Sequence, residues 1–178
     1  MALLRSLQAW LGGGRAAQLE AAVLLHESGD LAGAEQRYRE ILRTGAGDAD
    51  ATHLLGLIAH QRGDHAAAVA QIAAAIALKA DKAVYHYNLG NALAALGRPQ
   101  AAVESFRAAK TLDPAQVAAR SNLAQALTQS GQHREAVAEL RHLLSLQASP
   151  AARNALASAL IRCADTDPAE ARSYDEAA

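Results

Sequence analysis

Residues 83–116 read AVYHYNLGNALAALGRPQAAVESFRAAKTLDPAQ, and this stretch decides the fold. Tyr85, Leu89, Ala92, Leu93 and Leu96 recur at three- and four-residue steps, which places them on one face of an α-helix. Gly97 then ends that helix, because a residue without Cβ takes positive φ at no steric cost. Pro99 stands where a second helix would begin, in the first turn that tolerates its missing N–H. Ala102, Val103, Phe106 and Ala109 form the apolar stripe of that second helix, and Leu112-Asp113-Pro114 closes it. The stretch therefore reads as helix, turn, helix, turn.

The same pattern is copied along the chain. Gly29, Gly63, Gly97 and Gly131 stand 34 residues apart, and so do Ala34, Ala68, Ala102 and Ala136. Tyr38, Ile72, Phe106 and Leu140 keep this period and are all large and apolar. Ala21, Leu55, Leu89 and Leu123 keep it too, as do Ala22, Gly56, Gly90 and Ala124. Agreement of five columns on one period marks a tandem repeat. The units are expected at 15–48, 49–82, 83–116 and 117–150. Small residues such as Gly56 and Ala68 let paired helices approach closely, and the large residue four positions later fills the next gap.

Composition sets the outer limits. The chain has 178 residues, 51% of them hydrophobic but only 3% aromatic, and 17 Lys plus Arg against 18 Asp plus Glu. That balance, with the basic residues scattered, argues against nucleic acid as partner. One cysteine, Cys163, excludes an intramolecular disulfide or a cysteine-rich zinc site. No apolar run is long enough to span a bilayer.

The ends differ from the middle. Residues 1–11 read MALLRSLQAWL, with Leu3, Leu4, Leu7, Trp10 and Leu11 on one helical face. Arg5, Ser6 and Gln8 interrupt the apolar run, so it is not a secretory signal, and a cytoplasmic location is expected. A capping or docking helix followed by a glycine linker is expected over 1–14. Pro150 and Ala151 open a further helix with Leu156, Leu160 and Ile161 on one face, which would cover the end of the stack. Asp167-Pro168-x-Glu170 has the form of another helix start within the tail 151–178.

The repeat resembles the tetratricopeptide repeat. Asn88-Leu89-Gly90, Gly97, Ala102-x₃-Phe106 and Leu112-Asp113-Pro114 carry the likeness best. Leu54-Leu55-Gly56 with Ala68-x₃-Ile72, Ala34-x₃-Tyr38, and Asn122-Leu123-Ala124 with Ala136-x₃-Leu140 carry it in the other units. The family's first-helix tryptophan is absent, and its terminal proline survives only at Pro114. The resemblance implies an all-α, right-handed α-solenoid of four helix pairs with capping helices at both ends.

It also implies where a partner binds. In the family the concave face is lined by the first helix of each unit. Carried onto this chain, the peptide-binding groove falls on His53, Leu57, His60, Val84, Tyr87, Asn88, Asn91, Ser121, Asn122 and Gln125. Asn88 and Asn122 are equivalent positions, and amides can grip an extended backbone whatever its side chains. They resemble the asparagine ladder of O-GlcNAc-transferase-type repeats, with Glu20 and Leu54 in the other two places. The basic clamp of chaperone-binding members is missing, since Leu19 and Val23 stand where it would need Lys and Asn.

His26, His53 and His60 are expected to be solvated groove histidines that make binding pH-dependent. Neighbouring first helices lie about 8–10 Å apart, too wide for these three to share an ion, so no metal site is expected. Gly12-Gly13-Gly14 lacks the Lys-Ser/Thr of a phosphate loop, and no Gly-x-Ser-x-Gly elbow occurs. The expected function is a non-enzymatic scaffold that binds an extended segment of another protein without any cofactor. The alternative is the targeting domain of a longer glycosyl-, sulfo- or methyltransferase. Homo-oligomerisation through the terminal helices is a third reading.

Overall fold

The structure, a computed structural model, describes residues 14–44, 47–146 and 149–166. The expected helix over residues 1–11, with Trp10, and the helix start at Asp167 lie outside these residues. Among the described residues the chain forms nine helices. These are α1 (Arg15–Glu27), α2 (Leu31–Thr44), α3 (Ala49–Gln61), α4 (His65–Leu78), α5 (Ala83–Ala95), α6 (Pro99–Leu112), α7 (Val117–Gln129), α8 (His133–Leu146) and α9 (Pro150–Thr166). First helices open at residues 15, 49, 83 and 117 and second helices at 31, 65, 99 and 133, in step with the sequence period. The chain divides into two compact units, Met1–Ala92 and Leu93–Ala178.

The turn between paired helices shows why the glycine recurs. After α3, the Gly63 N–H bonds to the His60 carbonyl at 3.0 Å and the Asp64 N–H to the Ala59 carbonyl at 2.9 Å. This double closure needs a left-handed residue at the centre, and Gly63 has φ of +81°. Asp64 at once caps the next helix, its carboxylate accepting from the Ala67 N–H at 3.0 Å. The same pair of backbone bonds closes α1 at Gly29 and α7 at Gly131.

In the first unit the core runs through Ala22, Ala34, Tyr38, Ile41, Ala51 and Ile58, then Ala68, Ile72, Ala75, Tyr85 and Ala92. Gly56 lies against α4: a Cβ there would meet Ile72 Cγ1 at 2.6 Å and the Ala68 carbonyl oxygen at 3.3 Å. The expected close approach of paired helices is thus met at this position. Cross-helix ion pairs Arg15–Asp48 (2.8 Å) and Arg62–Glu35 (2.5 Å) flank the core.

In the second unit Val103, Phe106, Leu123, Leu127, Val137 and Leu140 are buried. Glu139 on α8 accepts from Lys110 on α6 at 2.6 Å and from Arg120 on α7 at 2.8 Å, so one carboxylate ties three helices. On α9 the inward stripe is Leu156, Ala159, Leu160 and Cys163, of which Ala159 and Cys163 are buried. Ile161 was expected on that face but is 64% exposed. Two residues past Ala159, it points to the opposite side of the helix.

Candidate functional site

The first unit joins two of the expected groove residues, His53 and Asn88, to each other by a hydrogen bond. Tyr85 on α5 is buried, and its hydroxyl donates to Asp50 Oδ1 on α3 at 2.6 Å. Its ring stacks on His53, with centres 4.4 Å apart and planes inclined by 26°. Asn88 Nδ2 donates to His53 Nε2 at 2.9 Å. His26 Nε2 on α1 likewise donates to Gln61 Oε1 on α3 at 3.1 Å. Pairs 26–61, 50–85 and 53–88 share one separation, a repeat plus one residue. Each first helix meets the next one residue further along, so side chains in this register face each other across the interface.

His53 is therefore not the solvated histidine that its repeat position suggested. It is 5% exposed, and burial pushes its pKa down to about 4 against the partial opposition of the Asp50 carboxylate. At neutral pH the ring is uncharged, carries its proton on Nδ1 and accepts at Nε2. Burial, with the hydrogen bond to Asp50, pushes the Tyr85 hydroxyl well above its ordinary range. His60 at the end of α3 is half-buried, and burial and the neighbouring His65 lower its pKa.

The remaining expected residues of this unit are placed differently. Leu57 is half-buried and packs against the second apolar cluster. Val84 is 45% exposed, whereas Tyr87 and Asn91 are half-buried.

In the second unit Ser121 and Gln125 are exposed on α7, with Asn122 half-buried beside them. Ser121 and Gln125 line a cavity of about 390 Å³. Val117, Ala124, Thr128 and Gln129 of α7, Leu140 and Leu143 of α8, Ser149, and Ala151, Ala152, Ala155 and Ser158 of α9 complete its wall, which carries no charged side chain. Its walls are apolar with hydroxyl and amide groups at intervals, a lining that suits an uncharged side chain. The contribution of α9 was missed by the sequence reading, which treated this helix as a cover. Its small residues Ala151, Ala152 and Ala155 were the available signal. Among the described residues no group of three His, Cys, Asp or Glu side chains could hold a metal ion, and no helix is long and apolar enough to cross a membrane.

Sequence profiles described as tetratricopeptide repeat match residues 19–83, 53–117 and 93–159. No curated protein matches the sequence. A solved structure of the MamA protein is similar over 91% of this chain and 88% of its own, at a TM-score of 0.77 and 20% identity. MamA of Desulfovibrio magneticus RS-1 is similar over 76% of this chain and 78% of its own, at 0.68 and 19%. At these identities the likeness concerns the fold. A mutant O-GlcNAc transferase of Thermobaculum terrenum is 30% identical over 82% of this chain but only 28% of its own length, with a TM-score of 0.69. With profiles matching most of the sequence and helix pairs recurring at their period, the chain belongs to the tetratricopeptide repeat family, the α-solenoid class of protein–protein interaction scaffolds.

Proposed function

We propose that the chain binds an extended segment of another protein, and that α7 in the second unit supplies the main specificity pocket. The observation that carries this reading is the uncharged 390 Å³ cavity walled by α7, α8 and α9. Ser121 and Gln125, assigned to the groove from their repeat positions alone, line it. Its size lies at the lower end of ligand sites, enough for one or two apolar side chains of a peptide. Gln125 supplies an amide for the peptide backbone, and Val117, 40% exposed, extends the apolar surface. The amide of Asn88 contributes less, since one of its donors is held by His53.

Selection of a random peptide library on the full chain tests this reading. The enriched peptides should share a large apolar residue, and the double variant Ser121→Arg/Gln125→Arg should no longer bind them while melting at the parent temperature. Enriched peptides that bind this variant as well as the parent would refute the pocket assignment.

A second reading keeps the groove and places it in front of a transferase domain. The likeness to the O-GlcNAc transferase over 28% of that protein supports it. The reading frame beyond Ala178 decides: a catalytic domain there favours the targeting role, and a stop codon favours the free scaffold.

A further inference from the structure

His60 lies in the last turn of α3 and His65 opens α4, with Arg62-Gly63-Asp64 forming the turn between them. Their Nδ1 atoms are 3.2 Å apart, their ring centres 4.9 Å apart, and the ring planes are inclined by 50°. A simple N–H···N hydrogen bond favours rings in line with the contact. Each nitrogen lies roughly 1.1 Å from its ring centre, so an in-line pair at the observed 3.2 Å would place the centres about 5.4 Å apart. The observed spacing is shorter, so the two rings are bent about the contact. An ion about 2.05 Å from each Nδ1, on the line running out from each ring centre, reproduces both distances at an N–ion–N angle of about 100°, close to tetrahedral.

We propose that His60 and His65 chelate one divalent transition-metal ion of the zinc, nickel and copper class through their Nδ1 atoms. Imidazole nitrogen is a preferred ligand for these ions. Both residues are half-buried, and water would fill the coordination positions that the two rings do not. The two backbone bonds that close the turn at Gly63, and the Asp64 cap on Ala67, hold the two histidines in place before any ion arrives. In the free pair one ring donates its Nδ1 proton to the other. On binding, that proton passes by way of water to Nε2 of the same ring, so both Nδ1 lone pairs become ligands and no net proton is released. Because the protein supplies two ligands, the site belongs with open sites rather than closed structural ones. Repeat position relates His60 to His26, but the turn partner five residues on, His65, makes the pair.

Calorimetric titration of the full chain with Zn²⁺ should show one equivalent bound. His60→Ala and His65→Ala should each lower the affinity at least about tenfold, the loss that removing even an outer-shell partner produces. His86→Ala and His142→Ala should leave it unchanged. On the unaltered chain, Zn²⁺ should move the imidazole ¹⁵Nδ1 resonances of His60 and His65, which decides the matter if a variant fails to fold. Titrations indifferent to both substitutions, or Nδ1 signals that stay in place, would overturn the assignment.

Discussion

Asn88 Nδ2 donates to His53 Nε2 across 2.9 Å, joining α5 to α3. The asparagine that family resemblance assigns to peptide capture is thus also a tie between consecutive repeats, and its amide satisfies a histidine nitrogen in a buried side chain. This distinguishes the two units. In the first, the facing side chains of α1, α3 and α5 are largely engaged with one another. In the second, α7 presents exposed Ser121 and Gln125 to a cavity.

Substitution Asn88→Ala should cost stability. It removes the donor and leaves the His53 acceptor unsatisfied in a buried ring, a loss of about 1–2 kcal/mol. Thermal melting of Asn88→Ala, His53→Ala and the double variant forms a cycle in which the double loss should be smaller than the sum of the single losses. Additive losses would show that the two side chains are not coupled.

Stability should fall on acidification through the range set by His53. Folding lowers this pKa from 6.5 to about 4, so between those values the unfolded chain binds more protons than the folded one. The contribution is fully present above about pH 6.5 and is lost as the pH falls to about 4, with a total of roughly 3 kcal/mol for this residue. Urea midpoints measured from pH 7.5 to 4 should decline in the parent. They should decline less in His53→Phe, which lacks the titrating ring.

Replacing Gly56 by Ala tests how closely α3 and α4 are packed. Helix propensity alone would favour alanine by about 1 kcal/mol. The added Cβ, however, would stand 2.6 Å from the buried Ile72 side chain and 3.3 Å from a backbone oxygen. Overpacking of a filled site costs about 1–3 kcal/mol, so net destabilisation is expected. Chemical denaturation of Gly56→Ala should show a lower midpoint, and combining it with Ile72→Val should recover part of the loss.

The helices themselves were legible because their signals are local. The Gly63 turn, its Asp64 cap, Pro99 in a first turn and the small residue opposite each large one act within a few residues and recur at a fixed step. Burial of Tyr38, Ile72, Phe106 and Leu140 followed from the same columns. The face of α9 was only half legible. Leu156 and Leu160 were placed correctly, but the inward stripe passes through Ala159 and Cys163 and leaves Ile161 outside.

By itself, then, the sequence determined the repeat, its period, the helix pairs and the family, since each is written in short-range periodicity and turn chemistry. Only the tertiary structure decided what the polar side chains of the first helices do. Whether His53 meets Asn88 or solvent, whether His60 meets His65, and whether α9 walls a cavity depend on how helices meet and on the one-residue offset between repeats. Hydrogen bonds and ring contacts are set by separations of tenths of an ångström between segments far apart in the chain, and no periodicity along the chain encodes those separations.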